Sequence, residues 1–264
     1  MKYFKLAQKT LWQKTVNKEL YLLLDYDGTL TPIAPRPEKA LLQPRIRTLL
    51  KKMASHPRCL LAIVSGRSLA DLKKMVKIKN IIYAGNHGLE IEYHGIQVRL
   101  FKDPCFQDLL EKLQVELRER MKGLNGVLLE DKKLALAVHY RQVAKKRIPE
   151  VKAIVSDLVH AYSVRRQIAV TSGKMVLELR PPLAWGKGDF ITWLLRDILK
   201  DKKDKAVYYF GDDRTDEDAF KALKGQGFTI VVGKKKRSAA EYYLRNPREV
   251  KEVLEQIAQD LGVK

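Results

Sequence analysis

The chain has 264 residues with 51 Lys+Arg against 31 Asp+Glu, a formal charge of +20, and is 45% apolar and 31% charged. That length buries a full hydrophobic core as one large domain or two modest ones, and the composition excludes a disordered chain. No apolar run nears the roughly 18–20 residues of a membrane span, the lysine-studded N-terminus does not read as a secretory signal, and two cysteines, Cys59 and Cys105, make neither a disulfide framework nor a metal-ligand spacing. A reducing cytoplasm is the expected compartment.

Short apolar runs at 20–25, 59–65, 81–85, 206–211 and 228–233 are too brief and too continuously apolar for surface helices. They read as strands buried on both faces of a parallel sheet. Amphipathic helices lie between and after them. One carries Ile46, Leu49, Leu50 and Met53 on a face, another Leu69, Leu72, Met75 and Val76. A third spans about 189–199, and the last repeats Val250, Val253, Leu254, Ile257 and Leu261. The alternation predicts an α/β fold with a doubly wound parallel (Rossmann-like) core sheet.

The middle of the chain departs from that rhythm. A helix at 106–121 precedes strands at 127–132 and 134–140; a second helix at 149–162 precedes strands at 167–171 and 175–179, joined around Ser172-Gly173. This α-β-β-α-β-β segment, with hairpin connections, reads as an inserted cap domain over 104–181. The core is then 1–103 with 182–264. Residues 104–180 hold 15 basic and 9 acidic residues, a net +6 against +14 elsewhere, so charge is spread at similar density. The one dense run, Lys234-Lys235-Lys236-Arg237, follows an apolar segment and is expected in an exposed loop. A solvated basic surface that draws anionic substrates accounts for this without specific nucleic-acid binding.

Polar residues cluster where a doubly wound sheet keeps its active site, at the carboxyl ends of its strands. The first run ends in Asp25-Tyr26-Asp27-Gly28-Thr29. Two carboxylates at i, i+2 on a strand end point into one crevice and repel, so they call for a cation or a shared proton. An Asp-Gly turn with solvated aspartates is the alternative. Ser65-Gly66-Arg67 opens a helix and offers a phosphate cradle, or an ordinary Ser N-cap. Gly211-Asp212-Asp213 leads to Asp216-Glu217-Asp218, five carboxylates in seven residues, which suits a hard cation or a solvated acidic helix start. Lys187, between two glycines ahead of an apolar helix, can supply a fixed positive charge.

Taken together, Asp-x-Asp-Gly-Thr, Ser-Gly-Arg, Lys-Gly and Gly-Asp-x-x-x-Asp, in that order and at those places, resemble the haloacid dehalogenase superfamily of Mg²⁺-dependent phosphatases. Within it, LDYDGTLTPI at 24–33, NHGLE at 86–90, EDKKLALAVHYR at 130–141, GKMVLE at 173–178 and GDDRTDEDAF at 211–220 look like the trehalose-6-phosphate phosphatase family. The likeness runs from about 22 to 261.

The resemblance implies hydrolysis of trehalose 6-phosphate, the final step of trehalose biosynthesis, with Mg²⁺ as cofactor. Asp25 is implied as nucleophile, forming an aspartyl-phosphate, and Asp27 as general acid and then base. The Asp25 carboxylate, the Asp27 backbone carbonyl and Asp212 hold the metal. Asp216 orients a metal-bound water with Asp213 nearby. Ser65 and Lys187 stabilise the phosphoryl oxygens, with Thr29 assisting. The cap then supplies sugar contacts through Glu130, Lys132 and Glu178, with Arg141 nearby. Arg67, Asn86 and His87 line the interface of core and cap, and His87 reads equally as a structural loop residue. Lys174 either reaches the substrate phosphate or is a turn lysine. Hinges are expected near 102–104 and 179–183. A monomer is expected, with a sugar phosphate as ligand, no membrane, and the synthase that makes the substrate as a candidate partner for residues 1–19. A capped phosphatase for another sugar or glucosyl-glycerate phosphate is the alternative reading; a non-enzymatic anion- or nucleic-acid-binding module is the third.

Overall fold

The computed structural model describes residues 1–202, 204–233 and 237–263, so Lys234, Lys235 and Lys236 of the basic run lie outside the described residues. Two compact units form, Met1–Val98 with Trp185–Lys264, and Arg99–Ala184. No helix among the described residues is long and apolar enough to cross a membrane.

The larger unit begins with β1 (Lys2–Tyr3), α1 (Phe4–Thr15), β2 (Glu19–Asp25), α2 (Pro44–Ala54), β3 (Cys59–Val64), α3 (Leu69–Val76), β4 (Ile82–Gly85), β5 (Glu90–Tyr93) and β6 (Ile96–Arg99). The smaller unit contributes α4 (Pro104–Arg120), β7 (Leu128–Asp131), β8 (Leu136–His139), α5 (Ile148–Val164), β9 (Ala169–Gly173) and β10 (Val176–Arg180). The larger unit resumes with α6 (Lys187–Trp193), a π-helical turn at Leu194–Ile198, β11 (Lys205–Gly211), α7 (Arg214–Ala222), β12 (Phe228–Val232), β13 (Tyr242–Leu244) and α8 (Pro247–Asp260).

Nine strands of the larger unit make one sheet in the order β1-β13-β12-β11-β2-β3-β4-β5-β6. Pairing is parallel from β1 through β4 and antiparallel between β4 and β5. Period-two alternation splits β2 between two cores. Leu20, Leu22 and Leu24 pack with Ile46, Leu50 and Val253 on one face, while Tyr21 and Leu23 pack with Phe190, Leu194 and Phe220 on the other. That double burial is why the strand reads as an unbroken apolar run. From β2 the chain steps outward to β3 and β4, then returns to β11 on the opposite side. The strand order therefore reverses at β2, and a ligand crevice is expected beyond the carboxyl ends there.

The first residues, outside the resemblance, fold onto this unit. Phe4 meets Tyr208, Phe210 and Tyr242 edge-on, at centroid separations of 6.4, 6.0 and 5.6 Å. Burial of Phe4 and Leu11 contributes about 1.5–3 kcal/mol each. The periodic reading contains no strand at β1, β5, β6 or β13, because each is a short edge or near-edge segment of 2 to 4 residues. So brief a run carries too little alternation to register.

The smaller unit is a four-stranded antiparallel sheet, β7-β8-β10-β9. Leu136, Val138, Leu177 and Leu179 point to one face, where Phe106, Leu113 and Leu117 of α4 and Val151 and Val155 of α5 cover them. The β9–β10 turn differs from expectation. Gly173 pairs with Val176, so the loop is Lys174-Met175 rather than Ser172-Gly173. Met175 takes the left-handed conformation there, with φ 65°.

Candidate active site

Register brings three strand ends together. Asp25 pairs with Val64 and Leu24 with Phe210, so Asp25, Ser65 and the Gly211-Asp212 step share one edge of the sheet. Helix α6 starts at Lys187 behind Gly186, whose amide donates to Asp189 Oδ2 at 2.9 Å. Lys187 is 2% exposed, and its ammonium bridges Asp25 Oδ1 and Asp216 Oδ1 at 2.7 Å each.

The electrostatics follow from burial. Desolvation pushes the Asp25 carboxyl well above the usual carboxylate range, with Lys187 opposing and Asp216 and Asp212 adding to the rise. For Lys187 burial weighs against the charge, but the carboxylates of Asp216 and Asp25 outweigh it and hold the ammonium well above the ordinary lysine value. Burial also pushes Asp213 upward; Lys187 and the Thr215 hydrogen bond overcome it, and the net shift is downward. Asp213 caps α7, accepting from Thr215 N at 2.8 Å and Asp216 N at 3.2 Å.

Asp25, Asp212 and Asp216 place ligand oxygens within 4.8 Å of one another. All three are buried, and the Lys187 ammonium pairs with Asp25 and Asp216, so a divalent cation would balance the remaining negative charge. An all-oxygen donor set suits a hard ion such as Mg²⁺. Asp25 Oδ2 is buried and, among the described residues, has no hydrogen-bond partner. The residues therefore fit the ion. Asp216, expected to orient a metal-bound water, is also the most heavily hydrogen-bonded of the three. Oδ1 takes Lys187 Nζ and Tyr209 OH at 2.7 Å each, and Oδ2 takes the amides of Asp212 and Asp213 at 2.8 and 2.9 Å. It anchors the lysine and the loop.

The loop after β2 is built for close approach. Gly28 has φ +93°, and a Cβ there would sit 2.3 Å from Asp212 Oδ2. The turn closes through Gly28 N to Thr31 O at 2.7 Å, and the Thr29 hydroxyl is buried without a hydrogen-bond partner among the described residues. Asp27 is gripped by Arg67, whose Nε and Nη2 donate to its two carboxylate oxygens at 2.7 Å each. Arg67 also donates to Asp71 Oδ2 and Pro37 O, both at 2.7 Å. Its side chain, expected among the substrate-binding residues at the interface of core and cap, is 5% exposed and holds Asp27. The Ser65 Oγ accepts from Arg67 N at 3.2 Å, and Ser65 is 1% exposed. Asn86 N donates to Arg67 O at 2.6 Å and His87 N to Ser65 O at 2.9 Å, so both lie beneath this loop.

In the smaller unit the register aligns Glu130, Ala137, Glu178 and Thr171 across four strands on the face opposite its helices. Lys132 pairs with Glu178, both 7% exposed. Glu130 Oε2 meets His139 Nε2 at 2.7 Å. Arg141, by contrast, donates from Nη2 to the Lys174 carbonyl at 2.7 Å, and both residues are exposed at the hairpin end of the sheet. Sequence reasoning missed His139, Arg180 (buried, two residues beyond Glu178) and, in the larger unit, Tyr209, Asp71 and Glu90. His139 and Glu90 lie inside the quoted strings, and only strand pairing shows what they touch.

Comparison with known proteins follows these features. A family model described as trehalose-phosphatase matches residues 23–248. Trehalose-phosphate phosphatase B of Arabidopsis thaliana is 37% identical over 255 residues, 92% of this chain and 67% of its own length. Trehalose 6-phosphate phosphatase RA3 of Zea mays is 34% identical over 94% of this chain and 72% of its own. The structure of the C-terminal domain of C. albicans trehalose-6-phosphate phosphatase superposes with TM-score 0.82 at 26% identity, covering 97% of this chain and 98% of that one.

Proposed function

The chain belongs to the trehalose-phosphatase family, and from that premise we propose that it hydrolyses trehalose 6-phosphate to trehalose and phosphate through a covalent intermediate on Asp25. The observation that carries the reading is the buried Asp25 carboxylate, pinned through Oδ1 by Lys187 while Oδ2 has no hydrogen-bond partner among the described residues at the sheet's switch point.

In the first step the Asp25 carboxylate attacks phosphorus, the bond from phosphorus to the sugar oxygen breaks, and Asp27 in its acid form gives that oxygen its proton. The ionised Asp27 left behind is the form that Arg67 holds with two charge-assisted hydrogen bonds. In the second step Asp27 takes a proton from water as the water oxygen attacks phosphorus, and the Asp25 carboxylate is released. Ser65 donates a hydrogen bond to the phosphoryl oxygens and Lys187 offsets their charge. The carboxylates of Asp25 and Asp212 with the Asp27 main-chain carbonyl are the residues to hold Mg²⁺, backed by Asp216. When bound, the ion supplies neutralisation of phosphoryl charge. The two units divide the work, the larger carrying the chemistry and the smaller recognising sugar through Glu130, Lys132 and Glu178, with His139 orienting Glu130.

Phosphate release from trehalose 6-phosphate, glucose 6-phosphate and an aryl phosphate, each with Mg²⁺ and with chelator, tests the reading. Metal-dependent preference for the disaccharide ester is expected. Metal-dependent activity without preference points to another sugar phosphate, and no release from any ester contradicts the reading.

A further inference from the structure

Beneath the Ser65-Gly66-Arg67 loop the chain runs through three successive left-handed residues, Asn86 at φ 47°, His87 at 59° and Gly88 at 95°. Only the last is a glycine, and a side-chain-bearing residue held there costs on the order of 1–3 kcal/mol. Such a turn persists only where its surroundings over-determine it. Its amides donate to Arg67 O and Ser65 O, and the His87 ring lies where a Cβ on Gly66 would come within 2.7 Å. The turn is thus the floor of the loop that holds Ser65 and Arg67.

Glu90 ties that floor down. It is 3% exposed at the start of β5, and one oxygen, Oε2, accepts from Asn86 Nδ2 at 2.8 Å and from the Leu69 amide at 3.0 Å. Leu69 opens α3, where a free helix amide and the positive end of the dipole favour a carboxylate. Gly85 lets the two segments meet, since a Cβ on it would be 2.5 Å from Leu69 N. One buried carboxylate therefore ties the start of α3, which follows the loop, to the strained turn beneath it.

We propose that Glu90 is a positioning residue for hydrolysis, acting through Asn86 and the α3 start to fix the Ser65–Arg67 loop and, through the Arg67 grip, the orientation of Asp27. The inference rests on the proposed acid role of Asp27. It differs from a purely structural role in what it predicts for leaving groups. An aryl ester departs as a stable phenolate and needs little proton donation, whereas a sugar alkoxide depends on the acid. A misplaced Asp27 thus slows transfer to Asp25 for the sugar ester selectively, its base role in the later step common to both esters lying outside kcat/KM, while general loosening lowers kcat/KM for both alike.

The experiment compares kcat/KM for trehalose 6-phosphate and p-nitrophenyl phosphate in wild type, Glu90→Ala, Glu90→Gln and Asn86→Ala. Glu90→Ala is expected to lower kcat/KM on the sugar ester about tenfold or more beyond any loss on the aryl ester, a separation typical of acid catalysis. Glu90→Gln, which keeps an acceptor oxygen for both donors, restores the wild-type ratio within about threefold, as exchange of a charged for a neutral acceptor allows. Asn86→Ala, cutting the same link from its other side, repeats the split and carries the test if Glu90→Ala does not fold. An unchanged ratio in the folded variants overturns the proposal. Failure of the reading beneath it looks different, because Asp27→Asn itself then lowers kcat/KM for the sugar ester no more than for the aryl ester.

Discussion

The two sheets of this protein keep buried charge in opposite ways. At the carboxyl edge of the parallel sheet, Lys187 is shared between Asp25 and Asp216, and Asp216 is itself closed off by Tyr209 and two backbone amides. Those groups come from β2, β11, α6 and α7, distant in sequence and joined by the winding of the fold. On the antiparallel sheet the charges stand in a cross-strand row, with Ala137 as a gap between Glu130 and Glu178. On the proposed function, chemistry is held by topology in the first region and sugar recognition by a side-chain row in the second. A row can change one residue at a time, while the cluster at the strand ends fails as a unit.

The largest effect separates these regions outright. Asp25→Asn is expected to lower kcat on every ester by at least about 10⁴-fold, as loss of a nucleophile does, while circular dichroism and the unfolding midpoint stay near wild type. Loss confined to the disaccharide ester contradicts the division. Lys187→Met leaves buried carboxylates facing one another, and removal of one partner from such a cluster costs about 3–5 kcal/mol. Chemical denaturation should show that loss, along with loss of turnover.

Glu178→Ala sharpens the other side of the comparison. Loss of a buried charged hydrogen-bonding group lowers kcat/KM for the disaccharide ester roughly 10- to 100-fold, with the aryl ester unchanged. An equal fall on both esters removes Glu178 from sugar recognition. The smallest effect lies in the thiols. Cys59 is buried on β3, and burial pushes its pKa up to about 12, whereas Cys105 is exposed at the start of α4. Titration of the native protein with a thiol reagent near neutral pH should therefore modify Cys105 rapidly and Cys59 only on unfolding.

The same contrast explains what was legible in the sequence. β2, β3 and β11 announce themselves as apolar runs ending in Asp25, Ser65 and Asp212, because burial on both faces leaves no polar interruption until the strand ends. The short strands β5 and β6 have sequences EIEY and IQVR, too brief and polar to stand out. Side-chain partners were harder still. Nothing in Ser-Gly-Arg tells that Arg67 turns to Asp27, forty positions away, since that contact depends on β2 and β3 being neighbours. The motif shows Asp216 as one acid among five, and only the lysine, the tyrosine and two amides around it reveal an anchor. Likewise the row of Glu130, Ala137 and Glu178 exists only once β8 lies between β7 and β10. Spacing within one strand placed Glu130 and Lys132 on a face, and pairing supplied the rest.

The central claim is that phosphorus passes through Asp25. Acid quenching during steady turnover of trehalose 6-phosphate, followed by peptide mass mapping, tests it most directly. The account predicts a phosphoryl increment on the peptide containing Asp25, labile to hydroxylamine, and absent in Asp25→Asn and in the presence of chelator. A turning-over enzyme that yields no acyl-phosphate under these conditions, or that carries the label on Ser65, contradicts it.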